Sequence, residues 1–141
     1  MIINYKNSGD VLHAPYRKYP KDAGYDLCAN ESVLIEGTSH ATVSTGLSFN
    51  IPDGYCGMVL SRSGLASLRG LFVLNAPGII DSGYSGEVKV VLGNMSWNSF
   101  QVVEGMRICQ FMLVQVEDYT FLPGMVWEGD RGANGFGSTG D

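Results

Sequence analysis

The chain has few positive charges and no long apolar run. Among its 141 residues, 9 lysines and arginines stand against 14 aspartates and glutamates, which gives a net charge of −5. A surface that binds nucleic acid needs an excess of positive charge, and a membrane-spanning helix needs roughly 20 consecutive apolar residues. We therefore expect neither nucleic acid nor a membrane among the partners of this chain.

Cysteine and histidine are also scarce. The three cysteines are an odd number without CxxC spacing, and the two histidines are His13 and His40. This disfavours disulfides, zinc and a catalytic Cys–His pair, and it predicts buried reduced thiols and surface histidines. The N-terminal MIINYKNSGD lacks the plan of a signal peptide. We expect a cytoplasmic location, which would be the host cell if the source is viral.

Helical periodicity is nearly absent, and short β-rich runs recur between turn signals. The runs are MIINY, GYDLCA, SVLIE, ATVSTGLSFNI, YCGMVLS, LFVLN, EVKVVLGN, SFQVVEG and RICQFMLVQV. They predict an all-β fold, a jelly-roll-like β-barrel or sandwich, with a turn at residues 51–55 and one short helix at residues 63–68. We expect this domain at residues 1–130 and a flexible Gly-rich C-terminal tail at residues 131–141.

Residues 75–87, NAPGIIDSGYSGE, place a carboxylate and an aromatic ring on one turn. Asp81 follows an apolar run, and Gly83 and Gly86 flank Tyr84, so the backbone can bend sharply there. In a structural interpretation Asp81 closes an Asx-type turn of a hairpin and Tyr84 packs as a strand residue. In a functional one the carboxylate handles a polar reacting centre while the ring packs against a flat neighbour. From this segment alone, both interpretations remain open.

Arginine occurs beside flexible backbone. Four of the five arginines lie within two residues of a glycine: Arg62, Arg69, Arg107 and Arg131. A guanidinium near free backbone N–H groups suits recognition of phosphate or carboxylate. The tail sequence RGANGFGSTG adds a stackable phenylalanine and two adjacent hydroxyls to its arginine, a set that a phosphate-bearing nucleotide could use.

Five short motifs follow one another along the chain. They are AGYDL (23–27), RSGLA (62–66), NAPGIIDSGYSGE (75–87), GMRICQF (105–111) and RGANGFGSTG (131–140). Together they resemble the trimeric dUTPases, which hydrolyse dUTP to dUMP and diphosphate. That reaction limits uracil incorporation into DNA and supplies dUMP for dTMP synthesis. The resemblance spans residue 23 to the end of the chain.

The resemblance implies a role for each motif in substrate binding and hydrolysis. Asp81 would activate the water that attacks the α-phosphorus, with Gln110 near that water. Tyr84 would pack against the deoxyribose, where a 2′-hydroxyl does not fit. The uracil pocket would be formed by Asn75, Gly78 and Ile80, largely through main-chain groups.

The phosphate groups and a metal ion would be held by other motifs. The resemblance implies that Arg62, Ser63 and Gly64 hold phosphates and that Asp26 reaches Mg²⁺ through water. The tail would close as a lid through five residues: Arg131, Phe136, Gly137, Ser138 and Thr139. Because three subunits build each site in this family, a homotrimer with shared sites is also implied.

Two departures from the family pattern bear on the function. Gly83 stands where many relatives carry a second acid, and Ser61 stands where proline is frequent. A glycine at this place of the turn also occurs in the related dCTP deaminases. Their catalytic glutamate, however, would fall at Val91. Two further interpretations are a nucleotide-sensing regulatory β module and a generic phosphate-binding jelly roll, and neither needs the full set of motif residues.

Overall fold

The structure, a computed structural model, describes residues 1–9, 13–126 and 129. Within them the chain forms short strands and one helix. The strands are β1 (Tyr5–Asn7), β2 (Tyr25–Cys28), β3 (Val33–Ile35), β4 (His40–Ser44), β5 (Leu47–Phe49), β6 (Tyr55–Leu60), β7 (Leu71–Val73), β8 (Gly78–Ile80), β9 (Lys89–Asn94), β10 (Phe100–Val102) and β11 (Arg107–Gln115). The helix, α1 (Ser63–Arg69), lies between β6 and β7. The predicted tail at residues 131–141 lies outside the described residues.

The strands pair antiparallel in four sheets. The largest has the order β2-β11-β6-β8, and a three-stranded sheet has the order β4-β9-β7. Two further pairs, β1-β5 and β10-β3, complete the set within the described part of the chain. These ladders do not close into one continuous barrel, so of the two predicted architectures the jelly-roll-like sandwich is confirmed and the barrel is not.

One hydrophobic core is shared by all four sheets. Leu27 of β2, Ile35 of β3, Val43 of β4 and Leu47 of β5 are each at most 1% exposed and belong to the same cluster. Burial of a side chain of this size stabilises the fold by about 1.5–3 kcal/mol. The core therefore fixes the positions of the sheets, and the loops at the strand ends carry the polar groups.

The local turn and helix signals agree with the structure. The 51–55 turn is present, with Gly54 at φ 77° and a hydrogen bond from the Tyr55 N–H to the Pro52 carbonyl. The helix predicted at residues 63–68 extends one residue further and ends at Gly70, whose φ of 66° is the left-handed conformation that glycine tolerates.

One predicted run is interrupted. The sequence ATVSTGLSFNI suggests one strand, whereas the structure divides it into β4 and β5 around Gly46, whose φ is 69°. A strand cannot pass through a residue in this conformation, so the chain turns a corner and joins a different sheet. We call residues 44–46 the β4–β5 corner.

The cysteine prediction is confirmed and the histidine prediction is half right. Cys28, Cys56 and Cys109 are free and buried, and burial raises the pKa of the Cys109 thiol to about 12. His40 is exposed, but His13 is only partly so, with its Nε2 atom 3.6 Å from a carboxylate oxygen of Glu104. No helix among the described residues has the length and apolar character needed to cross a bilayer.

Candidate active site

Strand pairing brings three of the five motifs together, namely AGYDL (23–27), RSGLA (62–66) and GMRICQF (105–111). Gln110 of β11 lies opposite Asp26 of β2 on one side and opposite Leu60 of β6 on the other. Two residues after Leu60 the chain reaches Arg62, immediately before α1. Three motifs that are far apart in the sequence therefore share one end of the four-stranded sheet.

Asp26 is held between two guanidinium groups. Its Oδ1 accepts a hydrogen bond from Arg62 Nε at 3.0 Å, and its Oδ2 accepts one from Arg107 Nη1 at 3.1 Å. Arg62 Nη1 also donates to the Arg107 carbonyl oxygen at 2.9 Å. We call Asp26, Arg62 and Arg107 the arginine cluster. Because the Asp26 side chain is only 12% exposed, these charge-assisted bonds are partly shielded from water.

The arginine cluster keeps capacity for an anion. Two arginines and one aspartate carry a net charge of +1, and the Arg107 side chain is 43% exposed. The contacts above use Nε and Nη1 of Arg62, and a guanidinium has two further N–H groups on its other terminal nitrogen. The cluster can therefore bind a phosphate group without losing the bonds that orient it.

Helix α1 adds backbone donors next to the cluster. Arg62 is its N-cap residue, and its first turn contains Ser63 and Gly64, both exposed, and no acidic residue. The N–H groups of a first helical turn have no acceptor within the helix, so they are available to an external one. The structure thus brings four predicted site residues, Arg62, Ser63, Gly64 and Gln110, to one end of the sheet.

The third motif forms a turn at the end of β8. We call residues 81–84 the tyrosine turn. The Tyr84 N–H donates to the Asp81 carbonyl oxygen at 3.2 Å, and Gly83 has a φ of 82°. The backbone of Asp81 therefore closes the turn, and among the described contacts its exposed carboxylate takes no part in the closure. The purely structural Asx interpretation of Asp81 is not what the structure shows.

The ring of Tyr84 lies against the backbone of its own turn. Its hydroxyl donates to the Glu87 carbonyl oxygen at 3.1 Å, and the side chain is about half exposed. A Cβ atom at Gly86 would lie 2.4 Å from the Tyr84 hydroxyl oxygen. Gly86 thus leaves room for the ring in this position, and about half of the side chain stays exposed.

The predicted pocket residues before the turn are neighbours as well. Gly78 is buried in β8 opposite Val59 of β6. The Asn75 side-chain nitrogen lies 3.4 Å from where a Cβ of Gly78 would be, an ordinary contact distance that places the amide next to the Gly78 backbone. Ile80 follows two residues later, opposite Gly57. Asn75, β8 and the tyrosine turn therefore follow one another along the same edge strand of the sheet.

The two groups of predicted residues are far apart within one chain. Gln110 is level with Leu60 on β6, whereas Ile80 is level with Gly57 and Asp81 lies one residue beyond it. That is four residues along the strand, about 13 Å, and β11 and β8 lie on opposite sides of β6, about 10 Å apart. One chain therefore presents the predicted site residues in two groups, which we call the half-sites, separated by roughly 15 Å.

Glu87 is a residue whose contribution the sequence did not reveal. Its carboxylate accepts hydrogen bonds from the Ser44 hydroxyl and, at 2.8 Å, from the Gly46 N–H. Burial alone would raise the pKa of this carboxyl, but these bonds and the nearby Lys89 ammonium outweigh it and lower the pKa. The only sequence signal was an acid three residues after Tyr84.

The remaining predicted residues belong to the tail. Arg131, Phe136, Gly137, Ser138 and Thr139 lie outside the described residues, so their roles stay predictions. The described residues contain no cluster of three or more His, Cys, Asp or Glu side chains that could hold a metal ion directly.

Comparison with known proteins identifies related chains. The dUTPase family model matches residues 10–140. The deoxyuridine 5'-triphosphate nucleotidohydrolase of Leifsonia xyli subsp. xyli is 41% identical over 128 residues, which cover 89% of this chain and 84% of that protein. The Thermobifida fusca protein of the same name is 43% identical over 131 residues, 92% of this chain and 73% of its own length. The fold is similar to that of a Staphylococcus bacteriophage 80alpha dUTPase mutant with dUpNHpp, with a TM-score of 0.90, 26% identity and 99% coverage of both chains.

The conformation of Gly83 predicts how the tyrosine turn responds to substitution. Its φ of 82° disfavours side chains, yet a Cβ there would meet nothing within 4 Å. We expect Gly83→Ala to lower the free energy of unfolding by about 1–2 kcal/mol through backbone strain alone. Gly83→Asn should lower it less, because asparagine tolerates the left-handed conformation. Urea unfolding measures both.

Gly64→Ala is the matched control, since a Cβ there also meets nothing within 4 Å and the residue is helical. We expect its free energy of unfolding to be unchanged or higher. Equal losses for Ala and Asn at position 83 would contradict a backbone origin of the effect.

Proposed function

Because this chain belongs to the dUTPase family, we propose that it hydrolyses dUTP to dUMP and diphosphate, using a water molecule activated by Asp81. The observation that carries this proposal is the exposed Asp81 carboxylate, which its own turn does not use for closure and which belongs to the same turn as the half-exposed Tyr84. A carboxylate that is not engaged in closing its turn can accept a proton from a bound water.

The tyrosine turn suits the nucleoside. We propose that the surface from Asn75 to Ile80 receives uracil and that Tyr84 packs on the deoxyribose. The Asn75 amide and the backbone of β8 offer donors and acceptors in fixed positions, as base recognition requires. A rigid wall excludes an added methyl or hydroxyl by steric clash, which discriminates better than the loss of one contact.

The arginine cluster suits the triphosphate. We propose that Arg62, with the backbone N–H groups of Ser63 and Gly64, binds its phosphates. Phosphoryl transfer depends mainly on positioning and on neutralising charge, and a guanidinium already oriented by Asp26 supplies both. Gln110, level with Asp26, would place its amide near the attacked phosphorus.

Asp26 can interact with Mg²⁺ through metal-bound water but is poorly placed to coordinate the ion directly. Both of its oxygens already accept guanidinium N–H groups, so direct coordination would compete with two charge-assisted bonds. Each oxygen keeps a lone pair that can accept a hydrogen bond from metal-bound water, and Mg²⁺ usually retains several waters. We propose that Mg²⁺ is held chiefly by substrate phosphates, where it neutralises their charge.

A complete site requires more than one chain. Asp81 and Gln110 would have to contact the same attacking water, but roughly 15 Å separates them in one subunit. A second copy of the chain could bring its own Asp81 close to Gln110 of the first by placing its tyrosine turn against the arginine cluster of that chain. We propose the homotrimer with shared sites that the family resemblance implies, in which such a ring of contacts closes on itself.

The end of the described chain also supports association. Residues 116–126, which we call the apolar arm, belong to no strand. Their exposed apolar side chains are Val116, Tyr119, Phe121, Leu122, Met125 and Val126. So many exposed apolar side chains in one short segment favour an interaction site, and a neighbouring subunit is the partner that an incomplete active site requires.

The deaminase interpretation lacks a proton carrier. Val91 lies in β9 opposite Thr42, half-buried, and an aliphatic side chain cannot move a proton to a cytosine ring. We also propose a cytoplasmic location, because nucleotide pools are found there and three free thiols suit a reducing compartment.

The proposed reaction predicts which nucleotide the protein hydrolyses. Incubated separately with dUTP, dTTP, dCTP and UTP in the presence of Mg²⁺, the protein should release diphosphate rapidly from dUTP alone. Chromatography of the products measures this. Formation of dUTP from dCTP would instead indicate a deaminase, and absence of turnover with all four would indicate a binding module.

If each active site is shared between two subunits, mixing two inactive variants should restore hydrolytic activity. Asp81→Asn should lower kcat by about 10²–10⁴-fold because it removes the base. Arg62→Ala should impair phosphate binding in the other half-site. When the two are unfolded together and refolded as a mixture, about one quarter of the sites should combine an intact Asp81 with an intact Arg62 from different chains.

Each variant refolded alone is the control for this experiment. Activity of the mixture that does not exceed that of the two parents would mean that both residues act within one chain. Light scattering of the same samples gives the number of subunits, for which we expect three.

The proposed lid predicts the effect of shortening the tail. A chain ending at Asp130 lacks every predicted lid residue and should lose activity about tenfold or more, because closure excludes water and completes the site. Its melting temperature should not change. A chain ending at Thr139 keeps those residues and should retain wild-type kinetics. Unchanged kinetics of the shorter chain would contradict the lid.

A further inference from the structure

Glu87 connects the third motif to a distant part of the chain. Its carboxylate accepts hydrogen bonds from the Ser44 hydroxyl and from the Gly46 N–H, both in the β4–β5 corner. Lys89 lies 3.9 Å away on its other oxygen. The side chain is 23% exposed, so these bonds are partly protected from competition with water.

The same residue holds the ring of Tyr84. The Tyr84 hydroxyl donates to the Glu87 backbone carbonyl at 3.1 Å, and Gly86 between them lets the ring lie close to the backbone. A shift of the Glu87 backbone therefore moves the acceptor that sets the direction of the ring. The Glu87 carbonyl thus fixes the Tyr84 ring, and the Glu87 carboxylate fixes Glu87 itself.

The corner that receives the Glu87 carboxylate is firmly placed. Thr45 is 1% exposed, and its hydroxyl donates to the Val88 carbonyl oxygen at 2.6 Å. The Val88 N–H donates to the Leu47 carbonyl oxygen at 2.7 Å, and Val88 itself is fully buried. The carboxylate therefore binds to part of the rigid core, and the anchor does not move with the turn.

We infer that Glu87 is a positioning residue that holds Tyr84 in the orientation needed to select deoxyribose over ribose. This inference rests on the proposed function. A ring that excludes a 2′-hydroxyl must keep its place within about 0.5 Å, and side chains achieve such precision only when neighbouring contacts lock them. The Glu87 anchor supplies that lock, because the Tyr84 ring is otherwise half exposed.

Glu87→Ala tests this by measuring kcat/KM for dUTP and for UTP. It removes the acceptor of two hydrogen bonds, and the ratio of the two constants should fall at least about tenfold. Glu87→Gln keeps a carbonyl oxygen that can accept both bonds and should retain most of the ratio. Ser44→Ala removes one donor only and should give an intermediate loss, which keeps the test usable if Glu87→Ala does not fold.

Glu31→Ala is the matched control. The Glu31 carboxylate also binds the β4–β5 corner, accepting the Ser44 N–H at 2.8 Å, and it has no described contact with the tyrosine turn. We expect it to alter the melting temperature without altering the dUTP to UTP ratio. The comparison separates loss of stability from loss of selectivity.

The outcomes distinguish the two proposals. If the wild-type protein does not hydrolyse dUTP, the proposed function is wrong. If it does, and Glu87→Ala lowers kcat/KM for both nucleotides equally so that their ratio is unchanged, only the positioning inference is overturned. A lowered ratio in Glu87→Ala and Ser44→Ala, with the Glu87→Gln variant near the wild-type value, supports it.

Discussion

The pairing of β6 with its two neighbours determines where the predicted site residues lie. Its ladder with β11 sets Gln110 opposite Leu60, and its ladder with β8 sets Ile80 opposite Gly57. A slip of one residue in either ladder would turn every side chain of that strand to the other face of the sheet. Gly57 makes the register strict, because a Cβ there would lie 2.4 Å from the ring of Phe111. Packing in the core thus fixes the distance between the arginine cluster and the tyrosine turn.

Charge balance explains why the arginine cluster forms at one end of that sheet. Two guanidinium groups close together repel each other, and the Asp26 carboxylate between them offsets that repulsion while orienting both. A net positive charge remains at this end of the sheet, where an anion would complete the neutralisation. The group that joins three motifs in the folded chain therefore also leaves them with uncompensated positive charge.

Features set by neighbouring residues could be predicted from the sequence. Pro52 and Gly54 define their turn, and the helix after Arg62 was placed to within one residue because Gly70 ends it locally. Each cysteine also lies in a short apolar run (DLCAN, GYCGMV and RICQF), which is typical of a buried free thiol. These signals act over a few positions, so the chain reveals them without knowledge of the packing.

Features set by distant residues could not be predicted in this way. The division of β4 from β5 depends on Gly46, whose N–H is bound by a carboxylate 41 positions away. The separation of Asp81 from Gln110 depends on strand register, which the spacing of motifs does not encode. Motif residues could therefore be named from the sequence, whereas their division into two half-sites required the sheet.

The tyrosine turn shows how a glycine-containing segment can keep a fixed geometry. At one end the Ser82 hydroxyl donates to the Asp53 carboxylate at 2.7 Å, and at the other Glu87 binds the β4–β5 corner. Gly83 lies between these anchors and supplies only a positive φ, while Gly86 supplies only space for the ring of Tyr84. The conformational freedom that the two glycines would give to the backbone is removed by the anchors. The backbone of the turn and the ring of Tyr84 are thus held in place by residues outside the turn, while the Asp81 carboxylate stays exposed.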